Sequence, residues 1–118
     1  MSIILVVDDA MFMRKKCAQL LIAQGHQVIE AANGAEAIAK YKEARPDGVL
    51  MDITMPDIDG LEALKVMKAY DPSARIAMCT AMGQQGIVIE ALKSGAIDFV
   101  VKPFDANRVK AAIDKLVQ

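Results

Sequence analysis

"IILVVDDAMFMRKKCAQLLIAQG", residues 3–25, is the stretch that decides the fold. It opens with five apolar residues, Ile3 to Val7, a run of strand length and mostly β-branched. It then breaks at two adjacent carboxylates, Asp8 and Asp9. From Ala10 to Gln24 the residues are good helix formers, with Met13, Cys17 and Leu20 at helical spacing, and Gly25 ends the run. A strand that feeds a helix through an acidic pair is both a folding unit and an electrostatic problem. Like charges side by side at the end of a buried strand need either water or a compensating cation.

The same alternation recurs to the end of the chain. Short apolar runs stand at residues 28–29, 48–51, 76–79 and 99–101. Asn33 reads as the N-cap of a helix with Ala37, Ile38 and Tyr41 on one face. Asp59 caps another, with Leu61, Leu64 and Met67 inward. Residues 84–94 form a further helix closed by Gly95. Asp105 caps the last, with Val109, Ala112, Ile113 and Leu116 at the spacing of one helical face. Ile87, Val88 and Ile89 are consecutive and cannot all face a sheet, so Ile87 or Val88 is expected at the surface. Five strand–helix units imply an α/β fold: a parallel sheet covered on both faces, with right-handed crossovers.

The bulk numbers agree. The 118 residues suit one domain, residues 1–118, with a core that needs no disulfide or structural metal. Apolar residues make up 54% of the chain, which excludes disorder. Lysine and arginine number 14 against 15 acidic residues, so the bulk charge does not suit nucleic acid. Arg14, Lys15 and Lys16 read as a solvated helix face. Cys17 and Cys79 fall inside apolar patterns and read as buried thiols. Without CxxC or a secreted-type framework, a reducing cytosol is expected. The N-terminus lacks the pattern of a signal peptide, and no apolar run reaches membrane-spanning length.

In an open parallel sheet, ligands bind beyond the carboxyl ends of the strands. Those ends carry Asp8 and Asp9 after the first strand, Asp52 after the third, Thr80 after the fourth and Lys102 after the fifth. The second ends less usefully, at Glu30 and Ala31. If the first and third strands are neighbours, three aspartates converge and disfavour their own ionised forms. Mg²⁺ removes that conflict, since it takes one or two carboxylates and leaves positions for phosphate. Thr80 offers a hydroxyl donor and Lys102 a point charge to phosphate oxygens. A carboxylate can attack phosphorus, and Asp52, standing apart from the pair, is the best placed to do so.

These residues resemble the response-regulator receiver domain over the whole chain. The acidic pair, the D-x-x-M-P-x-x-D-G pattern in "DITMPDIDG" (52–60), Thr80 and "KPF" (102–104) fall in order at typical spacing. "CTAMGQQ" (79–85) and "VIEALKSGAIDFVVKPF" (88–104) are similar to the single-domain chemotaxis members from thermophilic and Gram-positive bacteria. The resemblance implies a flavodoxin-like (βα)5 fold with strand order 2-1-3-4-5, an order that alternation alone does not fix. It implies a phosphorylation-activated regulator, with Asp52 as phospho-acceptor, Thr80 and Lys102 on the phosphoryl group, and Mg²⁺ as cofactor. Asp9 would bind the metal directly, Asp8 mainly through a water, and Thr54 through its backbone carbonyl, with Asp52 also in the metal set. Lys102–Pro103 would be a cis peptide. Phe99 would be the aromatic switch residue beside Thr80, and Thr54 and Met82 would tune the lifetime of the phosphoryl group.

The resemblance also implies partners: a CheA-like histidine kinase as donor, and a flagellar motor switch protein or other output protein. That partner would meet the fourth helix, fifth strand and fifth helix, with Ile87, Val88 and Phe99 in the contact. It implies a cytoplasmic monomer with no nucleic acid and no membrane, catalysing only its own phosphorylation and dephosphorylation. A receiver from another two-component regulator shares these features. A haloacid dehalogenase-type phosphatase would place its two aspartates two residues apart, whereas here they are adjacent. A flavin-binding relative would want a Thr/Ser/Gly-rich loop where "DDAMFM" stands. Asp57 and Asp59 read as loop and cap residues, Gly60 as part of a turn or helix start, and His26 as a surface residue.

Overall fold

The computed structural model describes residues 2–81 and 84–118. Five strands and five helices alternate strictly: β1 (Ile3–Val7), α1 (Met11–Ala23), β2 (Gln27–Ala31), α2 (Gly34–Ala44), β3 (Gly48–Asp52), α3 (Gly60–Tyr70), β4 (Ile76–Thr80), α4 (Gln85–Lys93), β5 (Asp98–Val101) and α5 (Ala106–Val117). The strands pair in parallel in the order β2-β1-β3-β4-β5. The expected architecture and strand order are therefore those observed.

Side chains alternate across the sheet because the strand period is two. Leu5, Val7, Val49, Met51, Ile76 and Met78 face one layer, where α2, α3 and α4 contribute Tyr41, Leu64, Met67 and Val88. Ile4, Val6, Leu50, Ala77, Cys79 and Val100 face the other, where α1 and α5 contribute Leu21, Ile113 and Leu116. Burial on both faces explains why β3 and β4 are buried at every position.

The caps follow local chemistry. Asn33, Asp59 and Asp105 each accept from the backbone N–H three residues on, at 2.8, 2.9 and 2.8 Å. Gly25 and Gly95 take positive φ angles of 94° and 113° directly after α1 and α4, which favours glycine there.

Two helix faces differ from expectation. In α1 the buried residues are Cys17, Ala18 and Leu21, while Met13 and Leu20 are only half-buried. The inward stripe is rotated, and Arg14 lies on it, so Arg14 is not a solvated residue like its neighbours Lys15 and Lys16. In α4, Val88 is buried at 8% exposure, while Ile87 and Ile89 are 38% and 53% exposed. Val88 is thus a core residue and not a surface contact. The sheet takes the central residue of the triad, and Ala91, three positions on, continues the same face. Both cysteines are buried, and burial pushes the Cys17 thiol up to about 12. His26 is half-buried and stands just before β2, at the amino ends of the strands and opposite the acidic residues.

Candidate functional site: an acidic cluster at the carboxyl ends of the strands

Strand adjacency brings the carboxylates together. β1 pairs with β3, so the residues following Val7 lie beside Asp52, the last residue of β3. Asp8, Asp9 and Asp52 each offer an oxygen within 4.8 Å of the others. They are not equivalent. Asp8 and Asp52 are 6% and 8% exposed, whereas Asp9 is open to solvent. Asp8 has both oxygens engaged: Oδ1 accepts from the Ala10 N–H at 2.9 Å and Oδ2 from Lys102 Nζ at 2.9 Å. Lys102 Nζ also stands 3.4 Å from Asp52 Oδ2, so one ammonium bridges β5 to both buried carboxylates.

The electrostatics reflect that crowding. Burial raises the affinity of Asp52 for a proton; Lys102 opposes this, and the Asp8 charge adds to it. The net shift is upward. For Lys102, burial works against the charged form, but the hydrogen bond to Asp8 and the charges of Asp52 and Asp8 outweigh it, and its pKa rises. The lysine is held as a cation by the acids it faces.

The remaining residues of the site come from β4, β5 and the adjoining loops. Thr80 ends β4 at 1% exposure. The Lys102–Pro103 bond is cis. Thr54 is exposed two residues beyond Asp52. Phe99 is half-buried on β5 and packs on the α2–α3–α4 layer. It shares a cavity of about 360 Å³ with Thr80, Gln84, Val88, Ile89 and Leu92. Met82 lies outside the described residues.

Sequence reasoning missed three contributors. Arg14 donates through a guanidinium N–H to the Asp8 backbone carbonyl at 2.8 Å and through Nε to Glu30 at 3.0 Å. Lys15 and Arg14 together hold the Glu30 carboxyl below its usual range. Arg14 therefore fixes the peptide that carries the acidic pair, and its place on the buried stripe of α1 was the available signal. Gly60 is more than a turn residue. A Cβ there would stand 2.1 Å from the Asp52 carbonyl oxygen, so a side chain would displace the end of β3. Gln84 reaches Thr54 and Thr80, and nothing in its sequence context distinguishes it.

The donors are all oxygens, and two of the three carboxylates are already partly engaged. That set suits Mg²⁺, which accepts few protein ligands and keeps water.

Residues 4–114 match the family described as response regulator receiver domain. The chain belongs to that family. The chemotaxis protein CheY of Bacillus subtilis is 58% identical to this receiver over 113 residues, covering 95% of this chain and 94% of that protein. CheY of Thermotoga maritima is 52% identical over 114 residues, covering 96% and 95%. A chain of the CheX–CheY–BeF3–Mg²⁺ complex from Borrelia burgdorferi matches the receiver at a TM-score of 0.92 and 36% identity, covering 98% of this chain and 89% of that one. Similarity at this level along nearly the full length makes the receiver a CheY-type response regulator. The phosphatase and flavin-binding readings fall with that assignment. Among the described residues, no helix is long and apolar enough to cross a membrane.

Proposed function

We propose that this receiver takes a phosphoryl group onto Asp52 from a histidine kinase of the CheA type and passes the signal to a flagellar switch protein. The observation that carries the reading is the cluster itself: a buried carboxylate, Asp52, bridged by Lys102 and flanked by Asp8 and Asp9. In the transfer, an Asp52 carboxylate oxygen bonds to phosphorus while the bond to the donor imidazole nitrogen breaks and its electron pair returns to the ring. Charge develops on the phosphoryl oxygens, and Lys102 is placed to offset it. Thr80 supplies a hydroxyl donor once it turns toward the group. Bound Mg²⁺ would supply further charge neutralisation on those oxygens. Asp9 and Asp52 would hold it with the Thr54 carbonyl, and Asp8, its oxygens taken by Ala10 and Lys102, would act through a water.

The chain would act on its own carboxylate only, as a cytoplasmic single-domain monomer. The exposed residues Ile87, Ile89 and Val101, beside Phe99, form the surface that would meet an output protein, and a CheX-type partner would act on the phosphorylated form. Incubation with acetyl phosphate and Mg²⁺, followed by intact-mass measurement, tests the acceptor. The wild type should gain the mass of one phosphoryl group and Asp52→Asn none. No adduct on wild type, or an equal adduct on Asp52→Asn, would remove Asp52 from this role.

A further inference from the structure

The loop after β4 holds a contact that phosphoryl acceptance does not require. Gln84, directly before α4, turns its side-chain amide back toward the site. Its Oε1 accepts from the Ala81 backbone N–H at 2.7 Å and lies 3.1 Å from Thr80 Oγ1. Its Nε2 donates to Thr54 Oγ1 at 2.8 Å. The partners fix the orientation of the amide. The Ala81 N–H can only donate, so it must meet the oxygen, and the NH2 group then faces Thr54. One side chain thus ties the end of β4 to the loop after β3. These are the paired strands that end in Thr80 and Asp52.

The consequence lies in a single proton. The Thr80 hydroxyl has one hydrogen to donate. Its acceptors are the Ala81 carbonyl at 2.8 Å and Gln84 Oε1 at 3.1 Å. Oε1 has no hydrogen to give back. A phosphoryl oxygen on Asp52 could be served only by that same hydrogen. The resting contact and the phosphoryl contact therefore exclude each other. A contact made in one state and lost in the other is the differential interaction that a two-state shift depends on. Gln84 also lines the cavity shared by Thr80, Val88 and Phe99, so its release alters the space beside Phe99.

We propose that Gln84 is a positioning residue: its amide clasps Thr80 to Thr54 in the resting protein and opposes the turn of Thr80 onto a phosphoryl group at Asp52. The inference rests on the reading of Asp52 as acceptor. It places a brake on the switch in a side chain outside the acceptor, the metal ligands and the Thr80–Lys102 pair.

Beryllofluoride binding at fixed Mg²⁺, followed by fluorine NMR titration of the full chain, tests it in wild type, Gln84→Met and Gln84→Ala. Methionine keeps the length of the side chain and removes both hydrogen-bonding ends. The Ala81 carbonyl still accepts the Thr80 hydrogen in both variants, so losing Gln84's share of it from the resting form alone should tighten binding about twofold. The Thr80 methyl and Ala81 amide resonances of the free variants should move toward their positions in beryllofluoride-loaded wild type. Unchanged affinity overturns the clasp, and so does weaker binding, which would mean that Gln84 helps to hold the phosphoryl analogue. Tighter binding without movement of the Thr80 resonances toward the loaded positions overturns it as well, because a general loosening of the loop would give that result. Failure of the acceptor reading looks different: wild type itself would bind no beryllofluoride, and both proposals would fall together.

Discussion

At Asp52 the requirements of chemistry and of folding oppose each other. Its carboxyl is buried beside Asp8, and burial is the largest influence raising its pKa. An acid whose pKa is raised in the folded state binds its proton more tightly there than in the unfolded chain. Its ionisation therefore costs no stability below the unfolded pKa, and the cost grows as pH rises from there toward the folded value. At neutral pH without divalent cation, Asp52 is a net burden. Asp52→Asn should then raise the stability of the metal-free protein by about 1 kcal/mol while abolishing phosphorylation, a trade common at functional sites. Urea denaturation at pH 7 in a chelator checks it; a loss of stability would mean that the Lys102 contact outweighs burial. The same residue shows why part of the site was legible. Asp8, Asp9, Asp52, Thr80 and Lys102 each stand at or just beyond a strand end, a position that pattern alone supplies. Gly60 and Gln84 matter through what another loop brings against them, and no local pattern carries that; Arg14 could be found only once the phase of α1 was known.

Among the elements, α4 separates what periodicity can decide from what it cannot. Three successive apolar residues require at least one to be exposed, but the phase depends on how the helix lies on the sheet. The structure buries Val88 and leaves Ile87 and Ile89 out. A similar ambiguity rotated the expected face of α1, whose sequence is apolar around much of its circumference, with Met11, Phe12 and Ile22 all exposed. The caps Asn33, Asp59 and Asp105 were legible because their partner lies three residues away on the same element. The phase of α4 has a direct test in stability. Val88→Asp places an unpaired carboxylate in the layer with Leu64 and Met78, and should cost about 3 kcal/mol or more. Ile89→Asp, on the exposed side, should stay within about 0.5 kcal/mol of wild type. Chemical denaturation of both variants settles the phase, and a larger loss from Ile89→Asp than from Val88→Asp would reverse it.

For the whole molecule, the order of the strands turns scattered residues into a site. Alternation along the chain establishes a parallel sheet, but strand order depends on which crossovers form, and here only resemblance to a family supplied it. Once β1 lies between β2 and β3, the fold itself forces three carboxylates together with a single ammonium, Lys102, bridging two of them. The unfolded chain has no such cluster, so a cation that binds there stabilises the native state alone. Stability should rise with Mg²⁺ as RT ln(1 + [Mg²⁺]/Kd), about 1.4 kcal/mol at ten times Kd. For a domain of this length that corresponds to a melting temperature about 5 °C higher. Asp9 separates binding from packing. It is exposed and its side chain supports no core, so Asp9→Ala should melt close to wild type in chelator yet lose most of the Mg²⁺-dependent rise. Thermal melts across a Mg²⁺ series read both quantities at once. An equal rise in the variant would take Asp9 out of the metal shell, and no rise in wild type would mean that Lys102 already satisfies the cluster and that cation enters only with the phosphoryl group.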